Sequence, residues 1–295
     1  MAPSATLPPA LRFCTRGLWL IENALPPLRR ASAGLRALPD SLIIGAQRCG
    51  TSSVVRHLAR HPGVMKSLGR GEIHFFDREP IWRRGVSWYR SRFPLRAVVD
   101  LVGRRLGYAP RTLEKTPAYL FRPIATKRMH ELLPDARLIV LLRNPIERTW
   151  SNYHHAQRED GIDLTFEQVV ELGMRAVEKD GVDAVATASG PATIVARSVY
   201  HEQLSRLFTM YPRERVHVER SESYFADSDA SMARLLAFLG LPVMHLSVKP
   251  VRPPPYAKLP DALRRRLEDF FRPHNQRLEA LLGRSMQWDG AEGTA

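Results

Sequence analysis

An apolar segment that runs straight into a glycine-bounded turn limits the possible folds of this chain more than any other feature. The sequence SLIIGAQRCGTSSVVRHL starts at Ser41 and has glycines at positions 45 and 50. A short apolar run that ends at a turn is typical of a buried parallel strand. The stretch after Gly50 has the apolar spacing of a helix. We therefore predict a strand, a tight turn and the first turn of a helix.

Such a turn is suited to holding an anion. Gly45 and Gly50 let the backbone turn tightly and bring its N–H groups close to a ligand. The helix that follows adds the positive end of its dipole. Arg48, Thr51 and Ser52 add a charge and two hydroxyls. A nucleoside triphosphatase would place Lys and then Ser or Thr directly after the second glycine. A plain strand-to-helix turn is the alternative.

The rest of the chain alternates between strand and helix patterns. Residues 111–115, 137–143 and 215–220 are predicted strands, and residues 144–159, 166–179, 195–211, 229–240 and 259–283 are predicted helices, the last interrupted near Pro273. Segments 78–110 and 180–195 are expected to be loops. Strands separated by helices predict an α/β fold in which helices cover both faces of a central, mostly parallel sheet.

Composition sets the domain organisation. At 295 residues and 44% hydrophobic, the chain can bury one sizeable core. Residues 1–40 are rich in Pro, Ala and Arg, and we predict a partly disordered tail with one short helix at 11–24. That helix would lie on the domain surface or contact a membrane peripherally. Residues 41–290 are predicted to form a single domain.

The charge of the chain favours anionic ligands. The net charge is +14, and only six of the 44 basic residues are lysines. An arginine surplus suits phosphorylated cofactors or polyanionic glycans, and a solvated surface would explain it as well. No basic run or aromatic-interleaved stripe points to nucleic acid, so we expect no nucleic-acid partner.

Cysteine content and hydropathy predict the compartment. Cys14 and Cys49 provide neither a disulfide framework nor a zinc-binding spacing. The early apolar stretch GLWLI is far shorter than the roughly 20 residues of a membrane span. We expect a protein of the cytoplasm with no transmembrane segment and no metal.

A second anion-binding element follows the strongest predicted strand. Arg143 ends that strand, and Ser151 lies two turns into the next helix. Ligands of open α/β sheets bind at the carboxyl ends of the strands, so the two side chains could hold a second phosphate. The alternative for Arg143 is an ion pair with Glu147, four residues along the helix.

Four segments together resemble the carbohydrate sulfotransferases. They are GAQRCGTSS at 45–53, GEIHFFD at 71–77, LEKTPAYL at 113–120 and LLRNPIERTWSNYHH at 141–155. Their order and spacing are most similar to the heparan sulfate 3-O- and N-sulfotransferase type and its bacterial relatives, over about residues 41–289. The resemblance implies a P-loop-like fold, the donor 3′-phosphoadenosine 5′-phosphosulfate (PAPS) and the product adenosine 3′,5′-bisphosphate (PAP).

The resemblance also implies which residues hold the donor. The 5′-phosphosulfate would lie among Arg48, Cys49, Gly50, Thr51 and Ser52, and the 3′-phosphate would lie at Arg143 and Ser151. The stretch RPPPYAK occupies the position of a loop that closes over the adenosine phosphate in the family, which makes Arg252 and Tyr256 candidate contacts. Heparan-type members usually have Lys at the position of Arg48.

The residues predicted to act on the sulfonate and the acceptor come from the two middle segments. Glu72 matches the catalytic base of the family, and Lys115 matches its lysine at the scissile sulfonate. His74 and Asp77 match residues that line the acceptor cleft, and His74 is also a catalytic candidate. Ion pairing of Glu72 with a neighbouring arginine, purely structural roles for His74 and Asp77, and a solvated Lys115 are the alternatives.

Sulfonate transfer needs such residue types. The acceptor loses a proton as it attacks, and Glu72 among Ile73, Phe75 and Phe76 is expected to have a raised pKa and to accept that proton. Negative charge grows on the leaving phosphate, which Arg48 and Lys115 would stabilise.

Three functions remain open from the residues alone. The first is sulfonate transfer to a hydroxyl or amino group of a carbohydrate-containing acceptor, which includes glycolipids and glycosylated small molecules. The second is a magnesium-dependent P-loop phosphotransferase or nucleotidase. The third is a non-enzymatic protein that binds polyanions through its arginines.

Overall fold

One sheet of five parallel strands forms the centre of the molecule. The computed structural model describes residues 26–69, 71–246 and 259–288. In these ranges the strand order is β2-β3-β1-β4-β5, and every pair is parallel. The strands are β1 (Ser41–Gly45), β2 (Val64–Lys66), β3 (Arg111–Lys115), β4 (Arg137–Leu142) and β5 (Val216–Arg220). The predicted sheet is confirmed.

Helices connect the strands and cover the sheet. They are α1 (Pro26–Ala31), α2 (Thr51–Leu58), α3 (Glu79–Trp82), α4 (Gly85–Arg90), α5 (Arg96–Leu106), α6 (Pro123–Leu132), α7 (Pro145–Glu159), α8 (Phe166–Val185), α9 (Thr193–Ala196), α10 (Tyr200–Phe208), α11 (Ser221–Ala226), α12 (Ser228–Leu239) and α13 (Asp261–Leu282). Short 3₁₀ turns lie at Ala33–Leu35 and Arg213–Arg215.

The strand order places three strand ends beside one another. Strand β1 lies between β3 and β4, and Ile43 is paired with both Lys115 and Ile139. All three strands run in the same direction, so their carboxyl ends, near Gly45, Lys115 and Leu142, meet at one edge of the sheet. The loops that leave this edge carry most of the predicted site residues.

Apolar residues on both faces of β1 and β4 explain why these strands lie in the middle. All five residues of β1 are buried, and so are Leu138–Leu142 of β4. A strand that is buried on both faces needs a continuous apolar sequence. A second apolar cluster lies among α7, α8, α9 and α13 and includes Phe166, Val195 and Phe271.

The 78–110 segment differs from its prediction as a loop. It contains α3, α4 and α5, which are short and rich in Arg and Trp. Helices α3 and α4 have only four and six residues, too few to show a helical period, and Val102 is the one buried residue of α5. In the 180–195 segment, α8 continues to Val185 across a non-helical Gly181.

Two predicted helices also need correction. The 195–211 segment is divided between α9 and α10, because Val199 has φ −84° and ψ 84°, outside the helical region. The terminal helix α13 is continuous through Pro273. Proline removes one helical hydrogen bond, but buried Phe271 and Asn275 on either side keep both halves packed on the core.

The chain before β1 is partly packed on the domain. Arg36 is buried, and its Nη1 donates to the carbonyl oxygen of Phe93 at 2.7 Å. The predicted helix at 11–24 lies outside the described residues. Within the described ranges, no helix combines the length and the apolar composition that crossing a bilayer requires.

Candidate active site

The turn after β1 has the conformation that its glycine requires. Gly50 has φ 83° and stands just before the first residue of α2. A Cβ at this position would lie 3.0 Å from two ring carbons of Phe225, so both the backbone and the space favour glycine. Arg48 also has a positive φ, of 70°. The first amides of a helix have no acceptor within the helix, so those at the start of α2 can bind an anion.

Two arginines, Arg148 fully buried and Arg197 half-buried, bind Gln47 of this turn, and the sequence reasoning missed both. Arg148 Nε donates to the carbonyl oxygen of Gln47 at 3.1 Å, and Arg197 Nη1 donates to Gln47 Oε1 at 2.7 Å. Burial, together with the charges of Arg148 and Arg122, lowers the pKa of Arg197 to about 9. The sequence offers no signal for Arg148, because only its burial distinguishes it from the other charged residues of α7.

The second predicted phosphate site lies beside the turn. Arg48 Nε donates to Ser151 Oγ at 3.4 Å, which connects the turn to α7. Arg143 Nη2 is 3.9 Å from Glu147 Oε2, so its alternative ion pair is present but long. Glu147 Oε1 accepts a shorter bond, of 2.8 Å, from Arg264. Arg48 and Ser151 therefore lie together, and Arg143 lies directly after β4, the strand that pairs with β1.

A continuous chain of polar contacts connects the start of α2 to the 71–77 segment. Lys115 Nζ donates to Ser52 Oγ at 3.3 Å and to Glu72 Oε1 at 2.7 Å. Glu72 Oε2 is 3.3 Å from His74 Nε2, and His74 Nδ1 is 2.9 Å from Asp77 Oδ2. The structure thus brings together all five of these predicted residues.

The contacts of Glu72 and His74 with their neighbours set the protonation states of the two side chains. Burial raises the pKa of Glu72, but hydrogen bonds and charges of His74 and Lys115 outweigh it, and the pKa lies below its ordinary value of 4.5. The expectation of a raised pKa for Glu72 is wrong, because its immediate neighbours are cations. Burial lowers the pKa of His74, but Asp77 and Glu72 raise it to about 9. At neutral pH, Glu72 is a carboxylate and His74 is an imidazolium.

Comparison with known proteins identifies the family of this chain. A family model described as a sulfotransferase domain matches residues 38–265, which is most of the chain. This chain belongs to the sulfotransferase domain family. It is a sulfotransferase, and the predicted resemblance is confirmed. Nothing in the comparisons supports a phosphotransferase or a non-enzymatic polyanion-binding protein.

Several named proteins are similar to this chain over most of its length. The sulfotransferase is 30% identical over 291 residues to human heparan sulfate glucosamine 3-O-sulfotransferase 6, with 89% of this chain and 78% of the relative covered. It is 22% identical to human heparan sulfate glucosamine 3-O-sulfotransferase 5, with 94% and 84% covered. A solved sulfotransferase from Alicyclobacillus acidocaldarius has a TM-score of 0.63 and 26% identity, with 85% of this chain and 99% of that chain covered.

The residues of the sulfotransferase that are predicted to bind PAPS differ in which of their groups a ligand can reach. The side chain of Cys49 is fully buried, its Sγ is 3.7 Å from Tyr200 Oη, and burial raises its pKa to about 11. A neutral, enclosed thiol leaves only the backbone of Cys49 for a ligand. Thr51 is also buried, whereas Ser52 is exposed at the start of α2. Arg252 and Tyr256 lie outside the described residues.

The side chains that could together ligate a metal ion are not among the predicted site residues of the sulfotransferase. In the described ranges, one group could hold a metal ion, formed by His201, Glu202 and His274, whose ligand atoms lie within 4.8 Å of one another. None of the three is a predicted site residue. The carboxylates of Glu72 and Asp77 are instead bonded to Lys115 and His74.

Proposed function

We propose that this sulfotransferase moves a sulfonate group from PAPS onto a hydroxyl or amino group of a carbohydrate-containing acceptor. The observation that carries the proposal is the Ser52–Lys115–Glu72–His74 contact chain at the start of α2. It places a carboxylate that can accept a proton next to a cation that can stabilise a leaving phosphate.

The arginines around the β1–α2 turn are suited to binding the two phosphate groups of PAPS. Arg48 contacts Ser151, and Arg143 lies directly after β4, the strand that pairs with β1. Arg148 is fully buried, and among the described residues its hydrogen bonds go to uncharged oxygen atoms, which include those of Gln47 and Asn152. A site this rich in guanidinium groups is electrostatically suited to a multiply charged anion. When bound, PAPS supplies a sulfur atom that exchanges its bond to a phosphate oxygen for a bond to the acceptor atom.

Glu72 is the base of the proposed reaction. Its ion pair with Lys115 keeps it ionised, which is the form that accepts the proton of the attacking hydroxyl or amine. His74 is held by Asp77 and contacts the second oxygen of Glu72. Since the side chain of Asp77 is only 5% exposed, it is better placed to orient His74 than to contact an acceptor.

Arg48 and Lys115 balance the charge that grows on the phosphate. Lys115 contacts both Ser52 and Glu72, so the same ammonium group can face the leaving oxygen and the base. Arg48 lies in the turn itself and can bind two oxygens, in place of the usual lysine. Fixed cations of this kind stabilise a transition state without reorganisation. Arg252 and Tyr256 are proposed to contact the adenosine phosphate.

A carbohydrate acceptor is proposed from the named relatives, which are heparan sulfate glucosamine 3-O-sulfotransferases. An oligosaccharide, a glycolipid or a glycosylated small molecule would each present suitable hydroxyl or amino groups. We also propose that the protein works in the cytoplasm, which agrees with the free thiol of Cys49.

Calorimetry with PAP tests the donor proposal. The protein should bind PAP in EDTA with the same affinity as in the presence of magnesium, because arginine, lysine and backbone donors hold the phosphates. Binding that requires magnesium would contradict the proposal and favour the phosphotransferase. Absence of PAP binding in both buffers would favour a non-enzymatic polyanion-binding protein.

A further inference from the structure

A buried carboxylate lies directly beside the proposed site but takes no part in the reaction above. Glu114 precedes Lys115 on β3 and has no exposed surface. Successive side chains of a strand point to opposite faces, so Glu114 faces away from the lysine. Three hydroxyl groups donate to it: Tyr89 to Oε2, Tyr119 to Oε1 at 2.6 Å, and Thr116 to Oε1 at 3.0 Å.

Two of these hydroxyls also hold the segment that carries Glu72. The amide of Phe75 donates to Tyr119 Oη at 2.9 Å, and the amide of Ile73 donates to Thr116 Oγ1 at 3.2 Å. A hydroxyl has one hydrogen to donate and lone pairs that accept. Because that hydrogen points to Glu114, the lone pairs of each oxygen face the backbone amide.

The two held amides flank an unusual residue. His74 lies between Ile73 and Phe75 and has a positive φ of 54°. A non-glycine residue in this region is uncommon and persists where its surroundings fix the backbone. The bonds that the amides of Ile73 and Phe75 donate to Thr116 and Tyr119 hold the backbone on the two sides of His74.

We infer that Glu114 is a positioning residue of this sulfotransferase. By orienting the hydroxyls of Thr116 and Tyr119, it fixes the backbone of residues 73–75 and so holds Glu72 and His74 against Lys115. The inference rests on the proposed roles of Glu72 and His74 in sulfonate transfer. It assigns a function to a carboxylate that has no exposed surface.

Tyr89 provides a matched control for Tyr119. Its hydroxyl donates to the same carboxylate, and within the described ranges Tyr89 Oη has no hydrogen bond to a backbone amide. Its ring stacks on Phe75 with centroids 4.4 Å apart, which a Phe side chain would preserve. Tyr89→Phe and Tyr119→Phe therefore each remove one buried hydroxyl from Glu114, but only Tyr119→Phe releases an amide of the catalytic segment.

The first experiment compares kinetics and amide exchange in Tyr119→Phe, Thr116→Val and Tyr89→Phe. Tyr119→Phe and Thr116→Val should lower kcat about tenfold or more, since a 1 Å misplacement can cost roughly a hundredfold. Their Kd for PAP should not change, and hydrogen exchange in a peptide that covers residues 71–77 should become faster. Tyr89→Phe should match the wild type in kcat and in exchange. Equal kcat and equal exchange in the two tyrosine variants would overturn the inference.

The second experiment changes Glu114 itself. In Glu114→Gln, the amide oxygen can still accept from Thr116 and Tyr119, so most of kcat should remain. Glu114→Leu removes the acceptor, so kcat should fall and exchange over 71–77 should rise. A folded Glu114→Leu variant with the kcat of the wild type, or a glutamine variant as impaired as the leucine variant, would contradict the inference. If Glu114→Leu does not fold, the comparison of Tyr119→Phe with Tyr89→Phe tests the inference.

The exchange measurement also separates this inference from the proposed function. If the wild type does not transfer sulfonate from PAPS, the proposed function fails. Faster exchange in Tyr119→Phe but not in Tyr89→Phe would still show that the network positions the segment. If the wild type is active and the exchange rates do not differ, the inference alone fails.

Discussion

Glu72 and His74 show how direct contacts can outweigh burial in setting a pKa. Both side chains are largely enclosed, and burial alone would favour their neutral forms. The cations beside Glu72 and the carboxylates beside His74 reverse this preference. Apolar neighbours in the sequence predict the burial of Glu72, but they carry no information about Lys115, which lies 43 residues further along the chain. Local sequence patterns cannot predict a charge partner that is so distant along the chain.

The raised pKa of His74 predicts a pH-dependent contribution to stability. A folded-state pKa of about 9, against 6.5 when unfolded, gives stabilisation that is full below pH 6.5 and is lost as the pH rises through 9. Its size is about 2–3 kcal/mol after allowance for solvent screening of a partly exposed group. We therefore expect His74→Gln to have a lower free energy of unfolding than the wild type. The difference, measured by urea denaturation, should be largest below pH 6.5. A deficit that does not vary with pH would contradict the protonation assigned here.

The conformation of Gly50 predicts a second effect at a single residue. Gly50→Ala places a Cβ at φ 83° and 3.0 Å from Phe225, so the turn should distort and the protein should lose about 1–2 kcal/mol of stability. PAP binding, measured by calorimetry, should weaken markedly. Gly34→Ala is the matched control, because no atom lies within 4 Å of a Cβ there and its φ is not positive. Unimpaired PAP binding by Gly50→Ala would show that this turn does not hold the donor.

At the scale of elements, long apolar or periodic segments were predictable and short ones were not. Strand β4 is almost continuously apolar, and α7 begins after Asn144, a typical cap residue whose side chain accepts from the amides of Ile146 and Glu147. Strand β2 has only three residues and gives no pattern. The break between α9 and α10 results from tertiary contacts, because Arg197 bonds to Gln47 and Ser198 bonds to Arg148.

An ion cluster fastens α12 to the edge strand β5. Glu219 accepts bonds from His217, Ser231 and Arg234, and its side chain is only 5% exposed. Burial raises its pKa, but His217 and Arg234 lower it to about 2. A lowered carboxyl pKa gives stabilisation that is full above pH 4.5 and is lost as the pH falls towards 2.

The cluster predicts how a Glu219→Gln variant behaves. It should be destabilised by about 2–3 kcal/mol at neutral pH, because one partner of a buried charged network is removed. The difference from the wild type should shrink as the pH falls below 4.5. Denaturant unfolding at several pH values measures this, with Glu131→Gln on the exposed face of α6 as the control. A destabilisation that stays constant down to pH 2 would contradict the assigned pKa.

At the scale of the whole molecule, the site exists because of the strand order. Arg48 follows β1, Lys115 ends β3, and Arg143 follows β4, and these three strands are neighbours. The parallel α/β pattern in the sequence predicts that these strand ends share one edge. The sequence did not predict which residues support the site, because Arg148 and Glu114 look like ordinary charged residues until their burial is known, and Arg197 does so until its bond to Gln47 is known.

In the proposed reaction, Glu72 accepts the proton of the acceptor during sulfonate transfer. Glu72→Gln keeps the size of the side chain and its contact with Lys115 but removes the base. The most direct test measures transfer of labelled sulfonate from PAPS to a carbohydrate acceptor by Glu72→Gln, with PAP affinity measured in parallel and Glu131→Gln as the control. We expect kcat to fall by about 10²-fold or more, with PAP affinity nearly unchanged and the control fully active. Turnover by Glu72→Gln close to that of the wild type would contradict the account.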